Sequence, residues 1–463
     1  MNKLEALSPI DGRYRSSTEP LAKIFSEKGL ISSRIRVESE YLIALSENQG
    51  TRTRLFSSEE KRLLRNLSNI STEDADIVKK IENEGYAGIP ATKHDVKAVE
   101  YYMRLKLKDT SLSDSLEWLH FGLTSEDTNS IAYGLMLSDG LSKHVLPALK
   151  SVHGQINGLA LKHKDTPMEA RTHGQPASST TVGKELKVTA SRLERQISQL
   201  EKQVILVKLN GATGNYDAHI AAYPKVDWLQ FTKDFVERFN ENREIKLKPN
   251  LVTTQIEPHD NYAEIFDNLR RTNTILIGFN QDMWRYISDG WIKQKPVKGE
   301  IGSSTMPTKV NPINFENSEG NLQIANALFT LFSEKLPISR LQRDLTDSTV
   351  ERNFGVALGH SVIAYESLQR GLNKIEVNEK QVLKELRSHP EVIAEGIQTI
   401  LRREGVSGAY EQLAELTRGK DVTMKDLRKF IDGLSVPPKA KKQLRRLKPE
   451  NYTGLASKIA ETQ

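Results

Sequence analysis

The chain contains no cysteine. Disulfides, a thiolate nucleophile and cysteine-ligated zinc are therefore excluded, and the usage fits a reducing compartment. Aromatic residues make up only 6% of the 463 positions, and no alternating run long enough for a useful strand stands out. No uninterrupted apolar stretch approaches the roughly 20 residues that span a bilayer. The opening residues, MNKLEALSPIDGRYRSS, lack the basic, apolar and small-residue order of a secretory signal. The expectation is a cytoplasmic protein. There is no internal repeat and no low-complexity tract. Charge of one sign is in slight excess only: 66 Lys and Arg face 60 Asp and Glu, a net +6. Over this length that surplus suits the steering of anionic ligands into a basic cleft. The densest basic tract, Lys439–Lys448 (KAKKQLRRLK), reads as the solvated face of a short helix with Leu444 and Leu447 turned inward. No nucleic-acid motif accompanies it.

What is abundant is helix-forming sequence. At about 150 residues per domain the length suggests roughly three domains. Five long segments carry helical periodicity, about Ser125–His163, Ser178–Leu209, Asp260–Gln294, Pro312–Leu336 and Asp347–Ile375. Several exceed ordinary globular helices, and long helices bury a face only by packing side by side. The expected fold is all-α in three parts. Residues 1–121 form an N-terminal helical domain, 122–375 a central long-helix bundle, and 376–463 a C-terminal helical domain.

The stretches between the long helices carry the reactive side chains. GSSTMPTKVNP (Gly302–Pro312) lacks the G-x-S-x-G nucleophile elbow and the Walker A pattern. Ser303 and Ser304 are left as candidates for a base, an anion clamp or a turn. Lys309 and Asn311 add a cation and an amide just before a helix that starts near Pro312, a favoured first position. Its positive end suits an anion. ARTHGQPAS centres on His173, which titrates near neutrality and suits proton transfer. GLTSEDTNS sets Thr124 and Ser125 at a helix start, with Asp127 placed for a capping box. ATKHDVKAVEYY holds Lys93, His94, Asp95 and Lys97; no H-E-x-x-H or comparable metal-ligand set accompanies them. TTQIEPHD contributes Gln255 and His259, and QRDLTDSTVERN contributes Arg343, Ser348 and Arg352. Arginines and hydroxyls near a helix start suit phosphate or carboxylate. Such clusters at the ends of long helices, if they converge, make one polyanion site.

Together these stretches carry a resemblance. GSSTMPTKVNPINFE resembles the signature loop of the fumarase/aspartase superfamily, and TSEDTN and THGQPAS resemble its two other motif regions. SPIDGRY, KHDVKAVEYY, TTQIEPHD and QRDLTDSTVERN are similar to the adenylosuccinate lyase family within it. The likeness covers essentially the whole chain. It implies β-elimination of fumarate from adenylosuccinate and from the succinyl-aminoimidazole carboxamide ribotide, with no metal or organic cofactor. It also implies a homotetramer with a twenty-helix core and sites shared by three subunits. The partners implied are small anionic nucleotides, with no nucleic acid and no membrane.

By the same resemblance His173 matches the general acid and Ser303 the general base, with Lys309 supporting its alkoxide. His94 assists His173 or holds the substrate phosphate, and Glu316 orients His173 or its neighbours. Arg13, Tyr14, Lys93, Asp95, Thr124, Ser125, Gln255, Asn311, Arg343, Ser348 and Arg352 fall on substrate-binding positions. One departure is Thr308, where relatives often carry His; altered loop closure or pH profile is expected from it. The alternatives are another fumarate-releasing lyase, such as an argininosuccinate lyase, and a non-catalytic structural homologue.

Overall fold

The computed structural model describes residues 2–295, 306 and 308–462. Ser303 and Ser304 lie outside the described residues. The fold is helical, as composition and periodicity require. Four of the five expected long segments contain a single dominant helix or helical rod. Ser125–Gly140 runs through a π turn, Leu141–Val145, into Leu146–Lys162. The others are Val182–Glu201, Asp260–Ser288 and Ile313–Lys335. The segment expected at Asp347–Ile375 is broken at Arg352 and Asn353 into Thr346–Glu351 and Phe354–Asn373. The capping box at Thr124 forms: the Asp127 carboxylate accepts from the Thr124 N–H at 2.9 Å.

Among the described residues six short strands form three two-stranded sheets, minor additions to the helical fold that periodicity did not signal. β1 (Pro167–Thr172) pairs antiparallel with β2 (Gln175–Thr181). β3 (Ile205–Val207) pairs parallel with β4 (Leu247–Pro249). β5 (Ile292–Gln294) pairs antiparallel with β6 (Ile375–Val377). The first hairpin occupies a stretch read as a loop and as the start of a helix. Pro167 and Pro176 break its strand signature, and its polar sequence carries no alternation. Its two-residue connection is His173 and Gly174, with φ of 52° and 74°. Positive φ at both central residues is the type I′ pattern, whose twist matches the strands it joins.

The chain divides into two compact units. Met1–Leu149, Gln196–Thr274 and Gly320–Tyr365 form the first; Lys150–Arg195, Ile275–Glu319 and Glu366–Gln463 form the second. In the first, the helix Glu27–Glu47 packs on Ser125–Gly140, Ser58–Asn66 and Asp95–Leu107. Ile35, Leu42, Leu64, Val99 and Met103 fill that contact and are fully buried. A second nucleus is aromatic. Phe266 packs on Phe354 at 4.8 Å, on Phe332 at 5.0 Å and on Phe329 at 5.7 Å between ring centroids.

In the second unit Leu386, Ile397, Leu401, Leu413, Leu427 and Leu444 build a separate core. The basic tract folds as expected, with Leu444 buried, Leu447 packed beside it and its charges outward. The hairpin is held close to a helix end by Gly183. A Cβ there would meet the Ala160 carbonyl at 2.2 Å and the Lys164 Cα at 2.5 Å, so no larger residue fits without backbone movement. Among the described residues no helix is long and apolar enough to cross a membrane.

Candidate active site

One polar network in the first unit collects side chains from five distant stretches. Arg34, 1% exposed, donates from Nε to Asn129 Oδ1 at 2.8 Å and from a terminal nitrogen to Asp95 Oδ2 at 2.7 Å. Arg352 donates to the same Asp95 oxygen at 3.0 Å and also to the Ser348 hydroxyl. Asn129 donates to Glu126 Oε1 at 2.6 Å, which also accepts from Arg343 at 2.8 Å. Arg343 reaches Gln255 Oε1 at 3.3 Å, and Gln255 donates onward to the Ala212 carbonyl. Five expected ligand-binding residues, Asp95, Gln255, Arg343, Ser348 and Arg352, are therefore joined through Arg34, Asn129 and Glu126. Arg34 Nη1 is buried without a hydrogen-bond partner among the described residues, and Arg343 Nε faces Asp347 Oδ2 as an ion pair at 4.0 Å, beyond hydrogen-bond length. A cation with a spare donor suits an anionic ligand.

Titration behaviour follows from burial. Asp95 would be pushed up by burial alone, but Arg34 and a backbone N–H pull it down to about 2. It stays ionised and fixes two guanidinium groups. Glu126, Asp347 and Glu351 sit near one guanidinium, that of Arg343, and burial drives all three carboxyls up. Burial also pushes His259 down to about 4. Its Nε2 lies 3.6 Å from Glu351 Oε1. Burial disfavours the charged form of both groups, so the contact is weaker than an ion pair at that distance would be.

A stability prediction follows. A carboxyl whose folded pKa is raised contributes stability below about 4.5, its unfolded value, and loses it as pH climbs through the folded value. Glu351→Gln removes that loss. The melting temperature of the variant relative to the parent should rise between pH 5 and pH 8, by a few degrees. The opposite slope from His259 is common to both proteins and cancels. A constant difference across this range would show that Glu351 does not titrate there.

The remaining first-unit residues lie on separate elements. His94 caps Asp95–Leu107, its Nδ1 accepting from the Lys97 N–H at 3.3 Å, and so stands next to Asp95. Lys93, at φ 52°, turns back to donate to the Asn83 carbonyl. Arg13 is exposed, with its guanidinium 5.8 Å from the centre of the Tyr14 ring. Thr124 and Ser125, half-buried, open the helix Ser125–Gly140. Beneath them Asp127 and Lys208, both fully buried, pair at 2.8 Å.

In the second unit His173 sits exposed at the tip of the β1–β2 hairpin, with no side-chain hydrogen bond among the described residues. Lys309 is exposed and Asn311 half-buried, just ahead of the helix Ile313–Lys335. Glu316, on its first turn, accepts from Trp284 Nε1 at 3.1 Å. Among the described residues no hydrogen bond joins Glu316 to His173.

Sequence reading missed Arg34, Asn129 and Glu126. A signal existed for the first. In the helix Glu27–Glu47, Arg34 shares the phase of Ile31, Ile35 and Leu42, where a charge is out of place unless it has partners. Glu126 and Asn129 stood inside the quoted TSEDTN stretch, hidden by the helix cap beside them.

Comparison with known proteins now bears on this arrangement. A family described as Lyase matches residues 12–326, and one described as Adenylosuccinate lyase C-terminal matches residues 339–453. Adenylosuccinate lyase of Haemophilus influenzae is 47% identical over 464 residues, covering 100% of this chain and 99% of that protein. That of Escherichia coli (strain K12) is 47% identical over 459 residues, covering 98% of each. That of Dictyostelium discoideum is 46% identical, covering 98% of this chain and 97% of that protein. Among solved structures, 3-carboxy-cis,cis-muconate lactonizing enzyme from Pseudomonas putida matches with a TM-score of 0.71 at 21% identity, covering 96% of this chain and 95% of that one. Fumarate lyase from Mesorhizobium sp. BNC1 matches with a TM-score of 0.71 at 18% identity, covering 96% of each. The last two likenesses concern the fold alone.

Proposed function

Because the chain belongs to the adenylosuccinate lyases of the fumarase/aspartase superfamily, we propose a division of labour among the residues described above. The activity is that of a carbon–nitrogen lyase. Adenylosuccinate is split to AMP and fumarate, and the succinyl-aminoimidazole carboxamide ribotide to the aminoimidazole carboxamide ribotide and fumarate. One observation carries this: relatives of that activity are 47% identical across essentially the full length of both chains.

The reaction is a β-elimination. A base takes the proton from the carbon next to a carboxylate, and the electron pair is held on that carboxylate as extra negative charge. The C–N bond then breaks, its electrons pass to the departing nitrogen, and an acid protonates it. Ser303 is the proposed base. A free serine hydroxyl is far too weak for that, so Lys309 and nearby N–H groups must favour its alkoxide. His173 is the proposed acid, with Glu316 acting on its orientation or that of its neighbours.

The network of Asp95, Arg343, Ser348 and Arg352, with His94, Lys93, Gln255, Arg13 and Tyr14, is the proposed nucleotide and phosphate subsite. Thr124, Ser125 and Asn311 are assigned to the substrate carboxylates. Support for this comes from the spare buried donor of Arg34 and from the ionised Asp95 that orders two arginines.

The proposed assembly is a homotetramer in which each site draws on three copies. Exposed apolar side chains on the long helices support it: Ile324 and Leu331 in the first unit; Leu161, Val188 and Trp284 in the second. Separate cores drawn from residues 31–119 and 386–444 support the three-part division at 121 and 375. A cytoplasmic location is proposed with it.

The test is fumarate release from five compounds: adenylosuccinate, the succinyl-carboxamide ribotide, argininosuccinate, malate and aspartate. Turnover of the first two is expected. Turnover confined to the last three would move the chain to another branch of the superfamily, and no turnover of any would favour a non-catalytic homologue.

A further inference from the structure

The hairpin that carries His173 is clamped by one side chain two residues away. Arg171 donates from Nε to Glu169 Oε1 at 2.9 Å and from its terminal nitrogens to Asp289 at 2.9 Å and Glu385 at 3.0 Å. Its guanidinium also lies on the Trp291 ring, 4.6 Å from the centroid. Glu169 is fully buried, and its other oxygen bonds His389 Nδ1. Asp289 is further held by Arg285 at 3.0 Å. These groups come from β1, from the end of the helix Asp260–Ser288, from the start of β5 and from the helix Glu379–Ser388 with its cap. All belong to the second unit.

Two features show that the hairpin is built around this contact. The β1–β2 register shifts between Ala170 and Arg171. The unpaired residue is Ala177 on β2, so the bulge bends the strand that lies opposite Arg171. The contact also explains why three ligating groups lie close together without being a metal site. Glu169, Glu385 and His389 offer atoms within 4.8 Å of one another, but the Arg171 guanidinium already bonds Glu169 and Glu385. The cation of this cluster is the arginine.

We propose that Arg171 is a positioning residue for His173, and that the helix Glu379–Ser388 acts through it as a brace for the hairpin. The inference rests on the reading of His173 as general acid. A two-stranded ribbon on its own is marginally stable, so its tip wanders unless its base is tied. Arginine suits the tie for a geometric reason: a planar fork serves three carboxylates while its face lies on an indole. A lysine presents one ammonium and cannot do both. His173 meets no other side chain by hydrogen bonding among the described residues, so its placement depends on the backbone that Arg171 secures.

The experiment is a double-mutant cycle on the full-length enzyme, with adenylosuccinate as substrate. Arg171→Met should lower kcat roughly 10²-fold, the effect of about 1 Å of misplacement, with KM changed less than about threefold. Arg171→Lys should recover part of the loss. Glu385→Gln, which keeps an acceptor but removes the charge from one of the three bonds and disturbs folding least, should show a smaller fall of the same kind. In the combined His173→Ala, Arg171→Met protein the two losses should not multiply, because the clamp acts only through a group already gone. Losses that multiply fully, or unchanged kcat in both Arg171→Met and Glu385→Gln, would overturn the proposal. His173→Ala retaining its rate would overturn the acid assignment instead, so that single variant separates the two failures.

Discussion

His173→Ala is expected to lower turnover of adenylosuccinate by about 10²–10⁴-fold, the usual contribution of a positioned acid or base. The loss should fall on kcat. The side chain is exposed at the end of a hairpin and bonds no neighbour among the described residues, so its removal leaves no buried group unpaired. The only structural cost is local, because alanine at φ 52° is less comfortable than histidine. Calorimetry should therefore show a small fall in melting temperature beside a large fall in rate. A substrate whose leaving nitrogen is already electron-poor needs its proton less, and the variant should recover much of its rate on it. Near-parental turnover of adenylosuccinate would remove His173 from the reaction.

The largest effect on stability is expected at Lys208. Its ammonium is fully buried, 2.8 Å from Asp127 Oδ1, and donates also to the Gly211 carbonyl at 2.9 Å. Asp127 in turn accepts from the N–H groups of Thr124, Asn210 and Gly211. One carboxylate thus ties the start of the helix Ser125–Gly140 to the 208–211 turn. Lys208→Met leaves that carboxylate in a dry interior without its counter-charge. Removing one partner of a buried pair costs about 3–5 kcal/mol. The denaturant midpoint should fall accordingly, and part of the loss should return in Lys208→Met combined with Asp127→Asn. A change below about 1 kcal/mol would mean that the three N–H groups alone satisfy Asp127.

The long helices were legible because their apolar positions recur with the helical period and their ends carry caps, Thr124 with Asp127 above all. The hairpin was not. Its strands are polar, contain Pro167 and Pro176, and owe their pairing to a turn and a clamp drawn from far along the chain. The break at Arg352 and Asn353 was missed for a related reason. The segment keeps its helical composition across the break, so periodicity carries no sign of it. Of the candidate site, residues in compact loops could be found by their chemistry. Arg34 and Glu126 could not, because a charge inside a helix explains itself only when its partners, 95 and 217 positions away, are folded against it.

The turn that presents His173 sets two selection pressures against each other at one codon. Both central residues are left-handed, and a type I′ turn of this kind is served best by Asn followed by Gly. Gly174 already supplies the second. His173→Asn would complete the favoured pair and relieve backbone strain, and it would also remove the proposed proton donor. Directed evolution for heat resistance alone should drift toward asparagine at this position and enrich inactive clones. A library built on this scaffold needs an activity gate at every round, or a fixed codon 173.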